Sequence, residues 1–160
     1  MLSRIGGRVP RAFIGGTIPN TSVRRYVVAP TLAAIAFSKV DFVPTRRVLL
    51  VDDHPGFVES ARALLTHEGL DIVAVAGSAA EAIRLAHSVR PELMLLDIHL
   101  PDRSGIDVAH AVASQLHAPD VILISSDADA GTHPDVRAAP VRGFVSKRDL
   151  TCAAIEALLD

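Results

Sequence analysis

Among its 160 residues the chain has a single cysteine, Cys152, so no disulfide can close within it, which fits a reducing cytoplasm. It also lacks a membrane-spanning run. The longest candidate, Tyr26 to Phe37, is about a dozen residues and contains Pro30, where roughly 20 are needed to cross a bilayer. No excess of positive charge marks the chain, whose net charge is −2, so there is no overall reason to expect nucleic-acid binding. No cluster of Cys and His offers a zinc site. What is present is 49% hydrophobic content, enough for one domain with its own core, while two domains would be crowded.

The charge is unevenly spread. Residues 1–44 carry six Lys or Arg against one acid, Asp41, whereas residues 45–160 hold ten bases and seventeen acids, a net of −7. Arg24, Arg25 and the apolar stretch after them resemble the start of a twin-arginine export signal, and the Arg-rich, acid-poor composition also suits an organelle transit peptide. The simpler expectation is a disordered extension, because Gly6-Gly7, Gly15-Gly16 and scattered prolines leave no sustained period. An upstream start, with the true initiator near Val40 or Val43, gives the same pattern. Mass spectrometry of the native N-terminus distinguishes these, since an intact peptide over residues 1–20 refutes the misplaced start.

From Arg46 onwards short β-rich runs alternate with helix-period segments. Val48 to Val51 is continuously apolar and too short for a helix, as expected of a strand buried on both faces. A helix is predicted over Pro55 to His67, with Phe57, Val58, Ala61, Leu64 and Leu65 on one stripe and Gly69 ending it. Asp71 to Ala76 reads as the second strand. Ser78 and Glu81 form a capping box for a helix to about His87. Leu93 to Leu96 is the third strand, and Ser104-Gly105 opens a helix through Val108, Ala111, Val112 and Leu116. Val121 to Ile124 and Gly143 to Ser146 supply two more strands. Between them Gly131, Pro134 and Pro140 leave room only for a short helix near Pro134 to Ala139. Asp149 is expected to cap a last helix with Leu150, Ala153, Ala154, Ala157 and Leu158 inward. Five strands alternating with five helices imply an α/β fold, a doubly wound parallel sheet with helices on both faces.

Four of the apolar runs end on residues able to handle a phosphoryl group: Asp52 and Asp53, Asp97, Ser125, and Lys147. In such a sheet the carboxyl ends of the strands open onto one crevice, where distant residues can meet. Two adjacent carboxylates repel unless a cation neutralises them, and oxygen-only ligands suit magnesium; alternatively one of the pair caps the helix at Pro55. Asp97 beside a bound metal could act as a nucleophile on phosphorus, or serve as a turn former. Ser125, with Ser126 as rival, could donate a hydroxyl to a phosphoryl oxygen. An ammonium at Lys147 could pair with Asp97 and then with the phosphoryl group, or simply be solvated.

The motifs Val48-Leu49-Leu50-Val51-Asp52-Asp53-His54, Leu96-Asp97-Ile98-His99-Leu100-Pro101-Asp102-Arg103-Ser104-Gly105, Val121-Ile122-Leu123-Ile124-Ser125 and Gly143-Phe144-Val145-Ser146-Lys147 resemble the receiver domains of two-component response regulators. The likeness covers residues 46–160. It implies a flavodoxin-like (βα)5 fold over a domain of residues 45–160, with Asp97 as phosphoacceptor and magnesium bound directly by Asp53 and Asp97. Asp52 would act mainly through water, and the His99 backbone carbonyl would complete the metal ligands. Ser125 matches the switch hydroxyl, Lys147 the phosphoryl-binding lysine and Phe144 the switch aromatic, here without the hydroxyl of the frequent Tyr. Arg148 after Lys147, in place of the common Pro, is similar to the subfamily usually fused to helix-turn-helix output domains.

Since the sequence stops at Asp160, the expectation is a stand-alone cytoplasmic receiver, and the resemblance implies a phosphoacceptor rather than an enzyme. A histidine kinase or phosphotransfer protein would load it, a downstream protein would read it, and dimerisation on activation is left open. Nucleic-acid and membrane partners are not expected. Three other readings compete: a pseudo-receiver that signals without phosphate, a truncated DNA-binding regulator, and an aspartate-dependent phosphatase of the haloacid dehalogenase type. The phosphatase expects a second Asp two residues after the nucleophile, where this chain has His99.

Overall fold

Alternation within the strands builds two cores back to back. The computed structural model describes residues 45–160, and the expectations for residues 1–44 lie outside them. Strands β1 (Arg47–Val51), β2 (Asp71–Ala76), β3 (Leu93–Asp97), β4 (Asp120–Ser125) and β5 (Gly143–Ser146) form one parallel sheet in the order β2-β1-β3-β4-β5. Because successive side chains point to opposite faces, Val48, Leu50, Leu93, Leu95, Ile122 and Ile124 pack against α1 (Pro55–His67) and α5 (Cys152–Leu159). Leu49, Val51, Met94, Leu96, Val121 and Leu123 pack on the other face against α2 (Ala79–Val89), α3 (Gly105–Ala113) and α4 (Pro134–Ala138). The strands are therefore apolar on both faces, as a doubly covered sheet requires.

Local chemistry sets the helix ends. Pro55 opens α1, and Gly69, with φ +101°, turns the chain out of it. Ser78 accepts from the Glu81 N–H, but the Glu81 carboxylate reaches the Gly77 N–H rather than that of Ser78, so the reciprocal arm of the box falls one residue early. Asp102 completes this N-terminus from outside, accepting from the Ala79 and Ala80 N–H groups at 2.8 and 3.0 Å. At the other end of α2 the Arg47 guanidinium donates to the Val89 and Arg90 carbonyls.

Expectations for the last helix and for Leu64 and Leu116 are corrected, while the short helix expected near Pro134 to Ala139 is present. Thr151, not Asp149, caps α5: its hydroxyl accepts from the Ala154 N–H, while the Asp149 N–H is spent on the Ser146 carbonyl in the turn after β5. Ile155 is the buried residue of this helix and Ala153 and Ala157 face out, whereas Leu150, Ala154 and Leu158 lie on the core side as expected. Leu116 lies beyond the end of α3 and is 93% exposed, and Leu64 on α1 is 41% exposed. The weak fourth unit is a 3-10 turn, Ala128–Thr132, followed by the five-residue α4.

Candidate phosphoacceptor site

The strand order places β1 between β2 and β3, so the chain leaves β1 and β3 in opposite directions and a crevice opens at their carboxyl ends. Asp52 follows β1 directly, and Asp97 is the last residue of β3. Both are only 2% exposed. The backbone fixes each carboxylate: Asp52 Oδ1 accepts from the His54 N–H at 2.9 Å, and Asp97 Oδ1 accepts from the His99 N–H at 3.3 Å. Asp53 points toward solvent, its side chain 33% exposed.

Lys147 closes the crevice from β5. Its N–H donates to the Ser125 carbonyl at 2.8 Å, which aligns the ends of β4 and β5. The ammonium lies 2.5 Å from Asp52 Oδ2 and donates to Asp97 Oδ2 at 2.8 Å. Burial works against the charge on Lys147. Its side-chain contacts to the accepting carboxylates of Asp52 and Asp97, and their negative charge, outweigh it and hold the ammonium above its ordinary range.

The loop after β3 is held by close backbone approach. The Gly105 N–H donates to the Ile98 carbonyl, and His99 and Ser104 bridge. A Cβ on Gly105 would lie 2.1 Å from the Asp97 carbonyl oxygen, so only glycine lets α3 begin so near the site. Asp102, in the same loop, ties it to the start of α2. Those two backbone N–H groups, Ala79 first and Ala80 next, hold its carboxyl below the usual range.

The residues fit a divalent cation. Carboxylate oxygens of Asp52, Asp53 and Asp97 and a ring nitrogen of His54 all lie within 4.8 Å of one another. Asp52 Oδ2 is buried without a well-directed hydrogen bond, its close neighbour being the ammonium. Three carboxylates against one ammonium leave two negative charges in a partly dry crevice, a surplus that a doubly charged ion offsets.

The acids and the lysine of the sequence reading are thus brought together. Neither acid of the 52–53 pair caps α1 through its side chain; His54 occupies that position without a side-chain bond. Ser125 ends β4, buried, but its hydroxyl is engaged locally, accepting from the Asp127 N–H at 3.1 Å. Phe144 is half-buried and lies over Gly131 of the 3-10 turn, so closely that a Cβ there would meet its ring at 2.5 Å. His99 is exposed, with its N–H on Asp97. Two residues escaped the sequence reading. His54 Nδ1 lies 2.9 Å from Asp53 Oδ1, for which adjacency to the acid pair was the available signal. The Phe57 ring faces Lys147, and no sequence pattern links those two positions.

Comparison with known proteins agrees with this geometry. The curated relatives include the transcriptional regulatory protein PdtaR of Mycobacterium tuberculosis, 39% identical over 83 residues that span 52% of this chain and 40% of that protein. The transcriptional regulatory protein KdpE of the same species is 35% identical over 100 residues, spanning 62% of this chain and 43% of KdpE. The matched region is half or less of the length of these curated relatives. Among solved structures, a two-component response regulator of the LuxR family from Aurantimonas sp. SI85-9A1 superimposes with a TM-score of 0.63 at 29% identity, covering 72% of this chain and 85% of that one. The CheX–CheY complex of Borrelia burgdorferi with beryllofluoride and magnesium matches with a TM-score of 0.61 at 25% identity, covering 71% of this chain and 86% of the other. Residues 48–156 match the family model of the response regulator receiver domain, and the chain belongs to that family.

Proposed function

We propose that this receiver takes a phosphoryl group onto Asp97 from a histidine kinase or phosphotransfer protein in the cytoplasm, with magnesium as cofactor, and passes the change to a partner protein. The observation that supports it most is the charge balance of the crevice, in which a buried carboxylate, Asp97, shares one ammonium with Asp52 and leaves a net negative surplus. An Asp97 carboxylate oxygen attacks phosphorus. The new O–P bond forms as the N–P bond to the donor imidazole breaks, and the imidazole nitrogen keeps the electron pair, leaving an acyl phosphate. Magnesium held by Asp52, Asp53, Asp97 and the His99 carbonyl would offset the negative charge that the phosphoryl group brings to a carboxylate.

Lys147 starts on Asp97 Oδ2 and is placed to pass to a phosphoryl oxygen. The Ser125 hydroxyl, at the end of the neighbouring strand, gives up its bond with the Asp127 N–H to do the same, and Phe144 follows as the switch aromatic. The domain acts as a phosphoacceptor, not as a turnover enzyme. Beryllofluoride imitates an acyl phosphate, and its presence with magnesium in the Borrelia complex supports extending the chemistry here.

The test is incorporation from acetyl phosphate, followed by intact mass. Wild type should gain one phosphoryl group with magnesium and none with EDTA, and Asp97→Asn should gain none. Incorporation that persists in Asp97→Asn defeats the assignment, and no response to beryllofluoride favours a pseudo-receiver. A second reading, a receiver working within a DNA-binding regulator, is favoured by the names of the curated relatives and by the half-length match. Residues 45–160, at net −7, are not themselves expected to hold DNA.

A further inference from the structure

We infer that Phe57 is a positioning residue for phosphoryl transfer, its ring face holding the Lys147 ammonium beside Asp97 through a cation–π contact. The inference rests on the phosphoacceptor reading above. Lys147 Nζ lies 4.7 Å from the centroid of the Phe57 ring. That is within the roughly 6 Å over which a ring quadrupole attracts a cation. The lysine side chain is only 9% exposed, so water screens the contact little. Phe57 comes from the first turn of α1 and is itself packed against the core layer of α1 and α5, which makes the ring a fixed platform.

The choice of an aromatic has a chemical reason. An ammonium has three N–H donors; one is directed at Asp97 Oδ2, and Asp52 Oδ2 lies against the charge on a second side. A third carboxylate or a carbonyl on the remaining side would hold the ammonium by another hydrogen bond and oppose its transfer to a phosphoryl oxygen. The ring attracts the charge without accepting a directed bond at full strength. It restrains the lysine stem while the N–H now on Asp97 Oδ2 stays free to exchange. Leucine would fill much of the same space and lack the attraction.

The experiment uses the full chain with acetyl phosphate and magnesium, and reads the rate at which phosphate enters Asp97. In that reaction an Asp97 oxygen bonds to phosphorus as the bond from phosphorus to the acetyl oxygen breaks, and acetate leaves with the electron pair. Phe57→Leu should slow incorporation about two- to tenfold, and Phe57→Trp should restore it. Mono-, di- and trifluorophenylalanine at position 57 change the volume little but weaken the quadrupole stepwise, so the logarithm of the rate should fall in step with fluorine number. Equal rates in wild type and Phe57→Leu overturn the inference. So does a flat fluorine series, which remains decisive if the leucine variant folds poorly, since it shows that the ring only packs. Wild type that takes up no phosphate overturns the phosphoacceptor reading and this inference with it, whereas a flat series on an active wild type overturns the positioning role alone.

Discussion

Replacing Lys147 with methionine keeps most of the stem and removes the charge, and the structure sets the cost. Asp52 and Asp97, each 2% exposed, then lose the ammonium at 2.5 and 2.8 Å and keep one backbone donor each, with the His54 ring nitrogen 3.4 Å from Asp52 Oδ1. Breaking a buried ion pair by deleting one partner costs about 3–5 kcal/mol. Asp53, a third exposed at its side chain, shows that the crevice is open on one side, which favours the lower figure of about 3 kcal/mol. With a urea slope of about 1–3 kcal/mol/M, the unfolding midpoint should fall by about 1–3 M, read by far-UV circular dichroism at neutral pH in EDTA. Two rescues separate charge from packing. Asp52→Asn added to Lys147→Met removes half of the uncompensated pair and should recover part of the loss. On the proposed reading magnesium binds the folded crevice and not the unfolded chain, and at about 100 times its Kd it should return about 2.7 kcal/mol. A Lys147→Met protein with the wild-type midpoint in EDTA, or one that neither Asp52→Asn nor magnesium stabilises, refutes the electrostatic account of the site.

Gly105→Ala should cost about 1–3 kcal/mol and slow acetyl phosphate incorporation although Asp97 is untouched, because the new Cβ would lie 2.1 Å from the Asp97 carbonyl; unfolding and intact-mass kinetics check both. Gly131→Ala should turn the Phe144 ring off the 3-10 turn, and a double-mutant cycle with Phe144→Leu should show coupling between the two. The folded Asp102 carboxyl is held below its ordinary value, so its contribution to stability is present above the unfolded pKa of about 3.9 and is lost as pH falls through the folded one. Asp102→Asn should therefore flatten the acid limb of a plot of melting temperature against pH, and an unchanged limb would show that the tether to α2 adds nothing.

The strands and the first helix were legible because their signals are local. Apolar runs bounded by turn residues mark β1 and β3, and Pro55 and Gly69 bracket α1. The end of the chain was not. Asp149 and Thr151 are both good N-cap types, and it is the turn after β5, closed by the Asp149 N–H on the Ser146 carbonyl, that leaves Asp149 ahead of the helix and Thr151 at its start, a fact of geometry rather than of composition. Nor does the sequence pattern single out Ile155, the fully buried residue of α5. At the site the same division holds. Asp52, Asp97 and Lys147 each stand at the end of an apolar run and point to a shared crevice. Phe57 and Asp102 act on partners in other elements, Lys147 and the Ala79 and Ala80 N–H groups, and no short-range pattern announces such pairs.

The contacts also limit how a charge at Asp97 could reach the surface. One strand, β4, separates Asp97 on β3 from Phe144 on β5, and the backbone alone is too well paired there to shift continuously. The adjustable connection is the Ser125 side chain. Its hydroxyl holds the Asp127 N–H, and the Asp127 carboxylate in turn accepts from the Asp129 N–H to start the 3-10 turn. On the proposed reading, drawing that hydroxyl to a phosphoryl oxygen frees Asp127 and loosens the turn whose Gly131 lies beneath Phe144. The α4 segment beyond is only five residues long, anchored by Val136, so few buried contacts oppose its movement. On that reading the short, proline-bounded fourth unit is the low-stability element a two-state switch needs, next to the strand that leads to the lysine.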